Sequence, residues 1–164
     1  MAQVLTGRNS KAAMRIKTLL EHFVDDDTFF DPPIKGVSYG DQAKLPDAPW
    51  ICVEAGTKER NWPPTPTDMT EITLEVVILI YYIDNNPDVG VEQVRLTSDE
   101  LSETVEEYLN VYHRQLLDEN GDALVIYGYV VRNESGYTQK GSAQYRSARL
   151  TWRGRSKLRL TQAQ

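Results

Sequence analysis

The side chains best suited to chemistry in this chain are few: two histidines, His22 and His113, and one cysteine, Cys52. A histidine works as a metal ligand or a general base only with a second ligand or an orienting acid at fixed spacing. Neither histidine has an H-E-x-x-H partner, so each is read as a helix-surface or half-buried side chain. Cys52 has no second cysteine, which rules out an internal disulfide. It lies in a strand-like stretch, so a packed thiol is expected rather than a nucleophile. Two acidic stretches have the alternating oxygens of a calcium loop. The run from Asp84 to Asp88 has Val89 where such a loop needs glycine, and Arg95 at its twelfth position would repel the ion. The run from Asp118 to Asp122 places Gly121 too early and Tyr129 at the last ligand position. Both are read as turns, and Asp25-Asp26-Asp27 as a solvated helix end. The segment GYTQKGS, residues 136–142, lacks the lysine-serine ending and following helix of a phosphate loop, and no Gly-x-Ser-x-Gly elbow occurs. No catalytic, cofactor-binding or metal-binding residue is assigned, and the chain is expected not to be an enzyme.

Charge is more informative. The net charge is −6, from 18 basic and 24 acidic side chains. Residues 132–159 hold eight of the basic ones, Arg132, Lys140, Arg146, Arg149, Arg153, Arg155, Lys157 and Arg159, against a single acid, Glu134. The rest of the chain is correspondingly acidic. Such a segment is a solvated face, a nucleic-acid contact or half of a complementary contact between copies. In the last case an acidic face on one copy meets the basic strand of the next, head to tail. Tyr81, Tyr82, Tyr127, Tyr129, Tyr137, Tyr145 and Trp152 concentrate in the strand-like stretches. Sheet packing accounts for most of them, although tyrosine with arginine is also an interface composition.

The elements that position these residues follow from periodicity. Ala12, Ala13, Ile16, Leu19, Leu20 and Phe23 recur at helical spacing, predicting a helix over 11–24 capped by Asn9 or Ser10. A strand is expected over 50–55. The proline-rich stretch around Trp62-Pro63-Pro64-Thr65-Pro66 predicts a projecting loop near 56–70, carrying Arg60 and Trp62. Residues 71–83 form the strongest strand. It begins half-exposed and becomes apolar on both faces, so its far end needs a second layer or a partner chain. A helix is expected over 98–117, capped by Thr97 or Ser98, with Leu101, Val105, Tyr108 or Leu109, Tyr112 and Leu116 inward and Glu103, Glu106 and Glu107 solvated. Strands over 123–132 and 143–155 complete the order α-β-β-α-β-β. The expected fold is a single α+β domain over residues 1–164, a mainly antiparallel sheet with both helices on one face. No apolar run is long enough to span a bilayer and the N-terminus has no signal-peptide pattern, so a cytoplasmic setting is expected.

In order and spacing, five stretches resemble the tail terminator proteins of long-tailed bacteriophages: AAMRIKTLLEHF, PWICVEAG, EITLEVVILIYYI, SDELSETVEEYL and AQYRSARLTWRGRSK. Neck and tail-completion proteins share much of this layout. The resemblance implies a structural virion protein, assembled in the host cytoplasm. It would form a homo-oligomeric ring, typically a hexamer, that caps the tail tube and stops its polymerisation. The ring would present the head-joining surface to a neck or connector protein, and DNA would pass through its channel without specific binding. It implies no cofactor and no membrane. Within that expectation Arg146, Arg149, Arg153 and Arg155 are the candidates for charged contacts, with Arg60 and Trp62 acting from the loop. A neck or head-completion adaptor is the alternative role. A nucleic-acid-binding module using the basic C-terminal strand is the alternative class.

Overall fold

A computed structural model describes residues 8–28, 33–61, 69–83 and 91–159. The elements are α1 (Arg8–Leu20), β1 (Gly36–Tyr39), β2 (Trp50–Asn61), β3 (Met69–Ile83), α2 (Val91–Tyr112), β4 (Leu116–Leu117), β5 (Ala123–Val125), β6 (Tyr127–Lys140) and β7 (Ala143–Arg159). Five strands form one sheet in the order β1-β2-β3-β7-β6, and β4 pairs with β5 in a separate ribbon. Only β1 and β2 run parallel; every other pairing in the sheet is antiparallel. The fold is therefore α+β with a mainly antiparallel sheet and two helices, as expected. The element order is richer than α-β-β-α-β-β, because β1, β4 and β5 are additional short strands. Among the described residues no helix is long and apolar enough to cross a membrane.

Both helices lie on one face of the sheet. Ala12, Ala13, Ile16, Leu19 and Leu20 of α1 and Leu101, Val105 and Leu109 of α2 share one buried cluster with alternate residues of the strands. From β3 these are Ile72, Leu74, Val76, Ile78 and Ile80; from β7 they are Ala148, Leu150 and Trp152. Period-two alternation in the strands and period-3.6 stripes in the helices make this single layer of contact possible. Each large aliphatic side chain it buries contributes roughly 1.5–3 kcal/mol.

Both helices begin earlier than their best caps suggest. Asn9 lies inside α1, where its side-chain amide donates to the carbonyls of Gly56 (2.6 Å) and Thr57 (3.5 Å). Those carbonyls sit in a bulge of β2 where the register with β3 shifts between Ala55 and Lys58. The amide thus satisfies backbone groups that the bulge withdraws from the ladder. In α2, Thr97 and Ser98 are mid-helix, because Val94 extends the inward stripe by another two turns and is itself buried. The helix stops at Tyr112, five residues short of the expected end, and Tyr112 is exposed there instead of facing inward. Leu116 is drawn instead into the ribbon against Val125, and Asn120-Gly121 turns that ribbon rather than closing the helix.

The expected projecting loop is partly strand. Residues 56–61 continue β2, paired with β3 through Asn61↔Glu71, and β3 is supported by β7 as far as Met69↔Arg159. The cover required by the doubly apolar end of β3 comes from the chain itself. Leu45 and Ala48, in the segment between β1 and β2, pack with Trp50, Cys52, Leu79, Tyr81, Tyr145 and Ala143 on the face away from the helices.

Candidate interaction face

The segment before β2 covers only half of that second face. The other half, formed by the outer lengths of β3, β7 and β6, is bare and charged. β7 sends Arg149, Arg153, Arg155 and Lys157 to it, all exposed, while Ala148, Leu150 and Trp152 point into the core between them. β3 contributes Glu71 and Glu75 beside them. Glu75 is directly opposite Arg153 in register, and its Oε2 lies 3.2 Å from Arg153 Nε. Arg155 Nε lies 3.4 Å from Glu71 Oε1, a diagonal contact. On β6, Arg132 and Glu134 face the same side and are 3.6 Å apart. Arg149 is directly opposite Glu134 in register but forms no ion pair among the described residues. Together Arg132, Arg149, Arg153, Glu75 and Glu134 line an open concavity of about 400 Å³.

β6 is an edge of the sheet. Its Tyr127 and Tyr129 flank Arg155 and Arg153 in register and are each more than two-fifths exposed, with ring centroids 5.6 Å apart. Beside them Val131, at the bulge where the register shifts between Val130 and Arg132, is also exposed. Paired tyrosines beside guanidiniums are well suited to a protein contact, giving apolar area with few rotors to immobilise.

The four candidate arginines of β7, Arg146, Arg149, Arg153 and Arg155, do not act together. Alternation puts Arg146 on the helix side, where its Nη2 lies 3.4 Å from Asp99 Oδ1 of α2 and its guanidinium 5.0 Å from the Tyr137 ring. Its side chain is largely buried. Arg146 therefore fastens α2 to the sheet, while Arg149, Arg153 and Arg155 share the bare face. Arg60 lies in β2 opposite Ile72, and Trp62 falls outside the described residues.

The polar groups most perturbed by burial are structural. Tyr81 donates to Asp41 Oδ1 at 2.7 Å, and Lys140 donates to the same oxygen at 2.8 Å and to the Gln42 carbonyl. Burial opposes ionisation of Asp41, but these two hydrogen bonds and the lysine charge hold its carboxyl below the usual range. Burial, then the Asp41 hydrogen bond and charge, push the Tyr81 phenol upward. Burial also pushes up the Cys52 thiol, which is fully covered and 3.5 Å from Ser38 Oγ. A raised thiol without an adjacent base is a poor nucleophile. Among the described residues no group of three or more His, Cys, Asp or Glu is placed to hold a metal ion. The Asp118 stretch is a turn, with Asp118 Oδ1 accepting from the backbone of Asn120 and Asp122, both at 2.9 Å. The Asp84 stretch lies outside the described residues.

One concavity carries no motif in the sequence. A cleft of about 680 Å³ separates α1 from the β4–β5 ribbon, walled by Met14, Arg15 and Leu117 with Asp118 at its rim. The exposed Met14 is the one feature that could have signalled it. No protein-family model matches the chain, and no curated protein matches it.

Proposed function

We propose that this chain is a structural, non-enzymatic ring subunit of the tail-terminator kind. It would cap a phage tail tube, stop its polymerisation and offer a joining surface to a neck protein. The observation that carries the reading is the half-bare sheet. The two helices pack on one face, while the other presents Arg149, Arg153 and Arg155 beside exposed Tyr127 and Tyr129. Exposed tyrosines beside guanidiniums are an interface composition, and contacts between copies in a closed ring would use them. The described residues offer closed polar contacts in place of a nucleophile-base pair, which suits a structural role. The setting that follows is the virion tail or neck, with DNA passing through the ring. A neck adaptor would use the same surface and differ in its partner.

The nucleic-acid reading draws on the same row of guanidiniums. The cross-strand pairs with Glu71 and Glu75 weigh against it, since those carboxylates repel a phosphate backbone. Light scattering with negative-stain imaging of the same peak tests the proposal. A ring-shaped particle with the mass of about six chains is expected. A clean monomer that retards DNA at low salt and releases it steeply as salt rises would favour the nucleic-acid module instead.

A further inference from the structure

The outward surface of α2 has a pattern that the fold does not use. Leu96, Glu100, Glu103, Glu107 and Val111 are all exposed, and their spacing of four, three, four and four residues makes one stripe opposite the buried Val94, Leu101, Val105 and Leu109. Glu100, Glu103 and Glu107 form no ion pair among the described residues. Leu96 and Val111, at the ends of the stripe, are 51% and 57% exposed. An all-acidic ridge with an apolar residue at each end is costly to leave unmatched, because like charges repel along it and the apolar ends stay wet.

The bare sheet face on the opposite side of the same protomer has the complementary pattern. At a rise of about 1.5 Å per residue, the stripe from Leu96 to Val111 spans about 22 Å. At about 3.3 Å per residue, the row from Arg149 to Arg155 spans about 20 Å. Among the described residues Arg149 forms no ion pair, and Arg153 and Arg155 are paired with Glu75 and Glu71 through guanidiniums that stay exposed and can exchange partners. Tyr129 and Val131 supply apolar area beside the guanidiniums.

We infer that the α2 stripe of one copy docks on the β7–β6 face of the next, with the ridge of Glu100, Glu103 and Glu107 lying along Arg149 and Arg153. The occupant of the bare face is thus a second copy of this chain. Because the two surfaces lie on opposite sides of the protomer, the contact is head-to-tail, and repetition closes a ring or builds a filament. The inference deepens the ring reading, and only ring closure and copy number rest on that reading.

The experiment mixes two full-length variants, Arg149→Glu/Arg153→Glu and Glu103→Lys/Glu107→Lys, and reads mass by light scattering and shape by negative stain. All four positions are exposed, and thermal unfolding checks that each variant folds. Arg149→Glu alone replaces the first variant if loss of the Glu75 pair weakens the fold. Each variant alone should associate at least roughly 100-fold more weakly than the wild type, since opposed like charges cost several kcal/mol. An equimolar mixture should restore assembly with the two variants alternating, because each acidic surface then meets a basic one. A chain carrying all four changes should assemble again.

Variants that assemble like the wild type overturn the contact, and imaged rings would then leave the ring reading standing. An effect of the arginine changes without an effect of the glutamate changes also overturns it, since two bare faces would then be meeting each other. Charge-dependent dimers or filaments with no closed ring support the contact and sink the ring reading. A wild type that remains monomeric at roughly millimolar concentration and low salt overturns both.

Discussion

Lys140 Nζ donates to Asp41 Oδ1 at 2.8 Å across 99 sequence positions, and the Tyr81 hydroxyl donates to the same oxygen. The lysine side chain is only 8% exposed and its ammonium lies 4.7 Å from the Tyr81 ring centroid. The tip of the β6–β7 hairpin is thereby tied to the segment that covers Leu79 and Tyr81. Replacing Lys140 by methionine keeps the stem and removes the charge, leaving Asp41 with one fewer donor. The expected cost is about 1–2 kcal/mol, near the lower end for charged hydrogen bonds because Asp41 remains partly solvated. Hydrogen exchange should show the loss concentrated in residues 138–147. Uniform loss across both helices would mean that the tie is not local.

The same carboxyl predicts a pH effect. Its folded-state pKa is below the ordinary value of about 3.9. Its contribution is therefore complete above that value and disappears as pH falls through the lower folded-state value. Urea midpoints measured from pH 6 downward should fall more steeply for the wild type than for Asp41→Asn below about pH 4. Parallel curves would show that this carboxyl does not contribute to the acid sensitivity.

Trp152 is fully buried between two glycines of neighbouring strands. A Cβ at Gly128 would lie 2.2 Å from its ring, and one at Gly154 would lie 2.4 Å from it. Gly128→Ala and Gly154→Ala should each cost about 1–3 kcal/mol through overpacking. Trp152→Ala should cost about 3–5 kcal/mol through the cavity it leaves. Combining Trp152→Phe with Gly154→Ala should recover part of the glycine penalty, because the smaller ring makes room. Additive losses in denaturant midpoints would show that the glycine is needed for another reason.

These contacts mark where sequence reading stops. The core faces of α1, α2, β3 and β7 were legible because Ile16 and Leu20, Leu101 and Val105, or Leu150 and Trp152 repeat at the period of their own element. Alternation also separates Arg146 from Arg149, but nothing local indicates that Asp99 meets Arg146 while Arg149 forms no ion pair among the described residues. β1 has four residues and gains its place only by parallel pairing with β2, a distant partner. The start of α2 was misplaced because a good cap, Thr97-Ser98, competes with a longer apolar stripe that includes Val94, and burial outweighs capping. Gly56 and Thr57 have the local sequence of a loop start, and only the amide of Asn9, 47 positions away from Gly56, satisfies their carbonyls within the strand.

Arg146 and Arg149 are neighbours in sequence and should differ in consequence. Arg146→Glu places a carboxylate beside Asp99 in a largely buried position, with an expected loss of about 3–5 kcal/mol. Arg149→Glu changes an exposed side chain and should leave stability within about 0.5 kcal/mol while weakening association. Measuring unfolding and particle mass on both variants separates the roles. Equal destabilisation by the two would put Arg149 in the folded core of contacts rather than on a free face.

His113 provides a second pH test, independent of Asp41. It follows α2 directly, with its ring centroid 4.6 Å from that of Tyr108, which in turn meets Phe23 edge-on at 4.6 Å. Burial lowers its pKa first, and the charges of Arg15 and His22 lower it further. The neutral imidazole is thus the form that fits. Its stabilisation is complete above the unfolded value of about 6.5 and is lost as pH falls through the lower folded-state value. His113 ring signals should titrate with a midpoint below about 6.5, and His113→Gln should flatten the stability profile below about pH 6.5. Because the opposing cation is Arg15 of α1, Arg15→Gln should move the midpoint back upward. A midpoint unchanged by Arg15→Gln would leave burial and His22 as the causes of the shift.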